Sequence, residues 1–186
     1  DAAREQNERM GLYAETTIEA LKRVAKDFPG LRLHNRLALI VPDDAFRKSF
    51  AQPLQRALDT AFPARFELMD AQQASTCVPG WASCADAETL VLDTVEQFDG
   101  LERLIVIAVG LDAVIGEETS RTRSRLYRAI TRAQMMVVVV NEVLKGGWLE
   151  FLTHVDFDNE QAFDSKKERA KNVKDAARGI VEKEQQ

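Results

Sequence analysis

Three arginines are the residues best suited to chemistry in this chain. Arg125, Arg128 and Arg132 lie in the stretch Arg125–Ala133, directly ahead of the apolar run Met135–Val140. A guanidinium is planar, permanently charged and rich in donors, so it binds phosphate oxygens through several hydrogen bonds at once. A helix leading into a strand holds such a group at the rim of a parallel sheet. α/β proteins take their ligands outside the carboxyl ends of the strands, and that is where this arrangement would deliver the arginines. A second segment, Thr94–Glu102, lies upstream where a second phosphate- or nucleotide-facing loop belongs.

The elements that must position these residues follow from periodicity. Met10, Tyr13, Thr17, Leu21, Val24 and Phe28 recur at helical steps, predicting a helix over residues 1–28 that Pro29 and Gly30 stop. Leu37–Val41 reads as a buried strand closed by Pro42. Asp43 or Asp44 caps the next helix, which carries Phe46, Phe50, Leu54, Leu58 and Phe62 on one face. Arg65–Met69 reads as a short strand, followed by a loop or ragged helix through the cysteines. Thr89–Val95 and Leu104–Val109 are continuous apolar runs, as strands covered on both faces are. A helix from Thr119 to Ala133 leads into the strand Met135–Val140, and Trp148–His154 reads as a final helix. Strands alternating with helices predict a three-layer α/β domain with a mainly parallel sheet and helical extensions at both ends. The expected divisions are an N-terminal helix over 1–30, the α/β domain over 31–156 and a charged helix over 157–186.

Composition narrows the partners. The 186 residues carry a formal net charge of −5, whereas a domain that binds nucleic acid strongly by itself usually shows a basic face. No apolar run is long enough to span a bilayer, and the first residues lack the apolar stretch of a signal peptide. The expected setting is cytoplasmic or nuclear, with no membrane partner. Cys77 and Cys84 read as loop thiols of a reducing compartment, with a local disulfide or half a metal site as the alternatives. Neither His34 nor His154 is arranged to complete a zinc site with them, so no metal is expected.

The segment Thr94–Glu102, followed by the strand Leu104–Val109, resembles motif V of superfamily 1 helicases, and Arg125–Gln134 resembles motif VI. Leu39–Pro42 is similar to the strand and proline that open the second motor domain. The resemblance covers Leu37–Asp156. It is closest to the branch of RNA and DNA helicases in which an aromatic stands two positions before the motif V glycine, as Phe98 stands before Gly100. The resemblance implies a RecA-like fold and assigns roles. Arg132 corresponds to the arginine finger that reaches the γ-phosphate of ATP bound between two RecA-like domains. Glu102 corresponds to the acid that holds the ribose, and Gly100 to the glycine that admits backbone close to the nucleotide. Thr94 and Gln97 fall where the family couples nucleotide state to the nucleic-acid backbone. Arg125 and Arg128 would support Arg132 or contact the opposite domain.

The departures bear on activity. The chain holds no Gly-x-x-x-x-Gly-Lys-Ser/Thr phosphate loop and no acidic pair placed to hold magnesium. Glu96 and Asp99 stand where the family favours other residues, and Tyr127 with Arg128 is a milder change. The expected function is therefore the second motor domain of an ATP-dependent DNA or RNA helicase-like protein, inactive alone. ATP and Mg2+ would bind only together with an N-terminal RecA-like domain from the same or another chain. Single-stranded RNA or DNA would bind the isolated chain weakly. Two alternatives stand beside it: a degenerate helicase-derived module for protein interaction or regulation, and a stand-alone nucleotide or phosphate binder using Arg125, Arg128 and Arg132.

Overall fold

The computed structural model of the chain describes residues 2–76, 87–98, 101–112, 119–142 and 144–150. They fall in two units. The first comprises Asp1–Leu111 with Ser120–Glu142, and the second comprises Asp112–Thr119 with Val143–Gln186.

The first unit is a three-layer α/β fold. In chain order it runs α1 (Ala2–Asp27), β1 (Leu37–Val41), α2 (Asp44–Ala61), β2 (Phe66–Met69), α3 (Ala71–Thr76), β3 (Glu88–Thr94), β4 (Arg103–Val109), α4 (Thr119–Ile130) and β5 (Ala133–Val140). The five strands form one sheet in the order β2-β3-β1-β4-β5, and every pairing is parallel. β1 sits at the centre with all five residues buried, which is why its sequence is an unbroken apolar run.

Alternation along the strands sends side chains to two faces. Leu37, Leu39, Leu92, Ile105, Ile107 and Val140 meet α1 and α2 in the main core, with Phe50, Leu54 and Leu58 from α2. The other face carries the shorter Ala38, Ile40, Val91, Val106 and Ala108, all fully buried. Right-handed crossovers place α3 and α4 on this side, where Leu126 and Ala129 of α4 are buried. Phe98, from the segment joining β3 to β4, is fully buried as well. α1, which reads from sequence as an extension, is part of this unit: Met10, Tyr13, Leu21 and Val24 are core residues.

Helix starts and strand starts are held by carboxylates. Asp43 is the α2 cap, its side chain accepting the Phe46 N–H at 2.9 Å, while Asp44 lies inside the first turn. Asp93 is buried in β3 and accepts the Ala71 N–H at 2.9 Å, fixing the start of α3. Glu88 opens β3. It accepts the backbone N–H groups of Leu33 and His34 and, at 3.1 Å, Arg65 Nε. His34 Nδ1 accepts the Thr89 N–H at 3.1 Å.

α4 ends at Ile130, before the expected Ala133, because Arg103 N–H donates to Arg132 O at 3.0 Å and Ala133 pairs with Arg103 in the sheet. The strand thus takes the residues that helical periodicity extended into. In the second unit, the Asp112 carboxylate accepts the N–H groups of Trp148 and Leu149 at 2.9 and 3.2 Å. Turns flank Gly147 there, and Glu150 has 3-10 geometry; the rest of the expected helix Trp148–His154, both cysteines and the charged segment 157–186 lie outside the described residues.

Candidate functional site

The sheet has two ends, and the sequence-predicted residues divide between them. α4 connects two parallel strands, so it runs from the carboxyl edge of β4 back to the amino edge of β5. Arg125 therefore lies toward the carboxyl edge, and Arg132 arrives at the amino edge. The sequence reading expected this arginine-bearing segment to reach the carboxyl rim. Antiparallel travel of the helix delivers only its first part there.

Glu102 and Arg132 come together at the amino edge. They stand immediately before two adjacent strands, joined by the Arg103 N–H to Arg132 O bond. Gln134 Nε2 donates to Glu102 Oε2 at 2.9 Å, so the carboxylate is held by a residue two positions beyond Arg132. Glu102 is exposed and Arg132 half-buried. Arg103, which sequence reasoning passed over, ties this edge to the interior. Its Nη1 donates to Glu102 O at 2.8 Å, and its guanidinium stacks 5.6 Å from the centre of the Phe98 ring. Its Nε is buried without a partner. Burial holds the Arg103 pKa below the usual arginine value.

Thr94, Gln97 and Arg125 gather at the carboxyl edge instead. Thr94 is buried, and its hydroxyl accepts the Gln97 N–H at 3.3 Å while its carbonyl accepts the Phe98 N–H. The hydroxyl thus shapes the turn that carries Gln97, itself exposed. Arg125 Nε lies 3.5 Å from Glu96 Oε1. Arg128 is on α4, one turn before Arg132. Gly100 lies outside the described residues.

The crevice where α/β sheets usually take ligands is the switch point at which successive connections leave on opposite faces, here between β1 and β4. Among the described residues, the Phe46 ring occupies it. Gly110 follows β4 with φ +68°, and a Cβ there would stand 2.7 Å from the Phe46 ring. The ring lies against that backbone. Asp43 and Asp44 follow β1, and Asp44 is held by Lys48 and Arg47 at 3.0 and 2.9 Å. Those bonds, the Lys48 one foremost, draw its pKa below the ordinary aspartate value. A crevice filled by phenylalanine and edged by carboxylates does not suit phosphate.

Chemically, the amino edge offers a carboxylate that can accept from hydroxyls beside an arginine that can donate to an anion. Among the described residues no group of three or more His, Cys, Asp or Glu could hold a metal ion, and no helix is long and apolar enough to cross a membrane. Glu88 and Asp93 were also missed from sequence. The available signal was a carboxylate at each end of a strand that is otherwise apolar and threonine.

The fold and the site define an α/β protein with an all-parallel five-stranded sheet and a polar pair at its amino edge. No protein-family model matches the sequence, and no curated protein matches it.

Proposed function

We propose that this chain is the second RecA-like motor domain of a superfamily 1 helicase-like protein, contributing half of an ATP site and inactive alone. The observation that carries the reading is the pairing of Glu102 and Arg132 on adjacent strand starts at the amino edge. The motif resemblance assigns these two residues to the same nucleotide, and residues far apart in sequence are thereby side by side.

ATP and Mg2+ fit these residues only in part. Glu102 would accept from ribose hydroxyls, and Arg132 would donate to the γ-phosphate, where charge develops during phosphoryl transfer. Bound ATP supplies the phosphoanhydride whose hydrolysis drives the motor. The lysine cradle and magnesium ligands would come from an N-terminal RecA-like domain in the same or another chain. Single-stranded RNA or DNA is the expected track, engaged from the Thr94 and Gln97 end.

The test uses the purified chain and its native source. The chain alone should release no phosphate from ATP above background, and calorimetry at millimolar ATP should show no binding heat. The natively produced polypeptide, or a protein that co-purifies with it, should yield a phosphate-loop peptide. Helicase-like turnover by the chain alone would overturn the reading, and binding heat with ATP would favour the stand-alone nucleotide binder.

One observation favours the second reading, a helicase-derived module for protein interaction or regulation. Glu96 places an acid at the carboxyl edge and engages Arg125, which works against a nucleic-acid backbone approaching that edge.

A further inference from the structure

At the amino end of β3 a side chain takes the place of a backbone acceptor. Thr89, buried there, turns both its backbone groups toward the segment that leads into β1. Its carbonyl accepts the Asn35 N–H at 3.2 Å, as it would from a neighbouring strand. Its N–H donates at 3.1 Å to the ring nitrogen Nδ1 of His34. The imidazole therefore does the work of a carbonyl oxygen in the sheet.

That bond fixes the protonation state of the ring. Nδ1 accepts only when it carries no proton, so the ring is neutral and its hydrogen sits on Nε2. Nε2 lies 3.1 Å from Asn35 Nδ2, which sets one donor against another. Asn35 Oδ1, meanwhile, is buried without a partner. A half-turn of the Asn35 amide exchanges its oxygen and nitrogen in nearly the same space. Both faults are mended at once, because Nε2–H then donates to Oδ1. The backbone of Asn35 is left-handed, with φ +54°, a conformation that asparagine adopts more readily than most residues.

We propose that His34 is a pH-sensitive latch. As the neutral Nε2–H tautomer it fastens the turn Leu33–Arg36 to the start of β3, and it lets go when Nδ1 takes a proton. That proton occupies the lone pair that the Thr89 N–H uses and makes the ring a donor on both sides. Among the described residues, the charged groups of the neighbouring segments are Glu88 on β3, Arg65 and Glu67 at β2, Glu102 and Arg103 at β4, and Arg32 and Arg36 beside the ring. Glu88 already accepts from the Leu33 and His34 N–H groups and from Arg65 Nε. Its charge attracts an imidazolium and the arginines repel one, yet none of these groups restores an acceptor to Thr89. Arg36, at the end of the same turn, accepts the Ile105 N–H through its carbonyl. Release of the turn therefore reaches the start of β4, at the edge that carries Glu102 and Arg132.

Nitrogen NMR of the full chain reads the ring directly, its two histidines being assigned through their backbone amides. The expected state at about pH 8 is a bare Nδ1 with the proton on Nε2. Between about pH 8 and 5, the range in which imidazoles take up protons, the Thr89 amide should lose about tenfold in exchange protection after correction for intrinsic rate. That is the equivalent of one lost hydrogen bond. The loss should follow the His34 ring titration and leave the β4–β5 amides protected. In His34→Gln, whose amide oxygen accepts without titrating, the loss should vanish. An Nδ1–H tautomer at about pH 8 overturns the proposal. So does Thr89 protection that stays constant through the ring titration, or that falls equally in His34→Gln, because another group would then be responsible. If His34→Gln does not fold, the tautomer and titration of the unaltered chain decide alone.

Discussion

Asp43 and Gly110 face one another across the end of the sheet through Phe46, and each shows how one residue type meets one local demand. Asp43 accepts the Phe46 N–H, a donor that the first turn of a helix cannot satisfy internally. Asp43→Ala should lower stability by about 1 kcal/mol in urea unfolding, while Asp43→Asn should cost less, because the amide oxygen still caps. Gly110 answers two demands at once. Its φ of +68° suits glycine, and the Phe46 ring leaves no room for a Cβ. Gly110→Ala should destabilise by about 1–3 kcal/mol. Phe46→Leu in the same chain should recover part of that loss, since it frees the space but not the backbone. Thermal unfolding of the two single variants and the double variant measures the coupling.

At the scale of elements, the carboxylate and amide fittings decide more than propensity does. Gln55 both donates to and accepts from the β2 edge, a dual role no carboxylate fills. Gln55→Glu keeps size and helix preference yet sets an oxygen against the Phe66 carbonyl. It should cost about 1–3 kcal/mol at neutral pH by urea titration, and Gln55→Ala should cost no more than that. α1 makes a pH prediction. Burial, with the Glu142 charge adding to it, raises the Tyr13 pKa above the usual tyrosine value. The folded protein therefore keeps a proton that the unfolded chain releases near about pH 10. Stability from this group is full below that pH and is lost as pH rises through the folded value. The urea midpoint should fall above about pH 10, and the fall should be shallower in Tyr13→Phe.

Legibility followed burial. β1 is covered on both faces and was bounded correctly as Leu37–Val41, because full coverage forces a continuous apolar run. The start of β5 was misplaced, since Thr131 and Arg132 continue a helical pattern that only pairing with β4 interrupts. Glu88 and Asp93 serve backbone donors from distant segments, so nothing local announces them. The separation of Arg125 from Arg132 was equally hidden: it depends on the direction of α4 across the sheet, which spacing alone does not give.

Across the whole molecule, the segment from Thr94 to Arg103 links the two ends of the sheet. Thr94 shapes the turn at the carboxyl edge, Phe98 midway along is fully buried, and Arg103 stacks on Phe98 while binding the Glu102 carbonyl at the amino edge. A change at one edge therefore has a packed path to the other. On the proposed function this is how nucleotide state would reach the nucleic-acid side, and Glu102 and Arg132 would act at different moments. On that reading Glu102 would hold the ribose, whose contacts are the same in ground and transition states. Arg132 would meet charge that grows only as the phosphoryl group transfers. In the complete protein with its partner RecA-like domain, Glu102→Ala should raise KM for ATP with kcat largely kept. Arg132→Ala should lower kcat by about a thousandfold or more, with the fold intact by circular dichroism. If both variants raise KM alone, Arg132 is a binding residue and not a finger. If neither changes ATPase activity, the helicase-derived interaction module becomes the better reading.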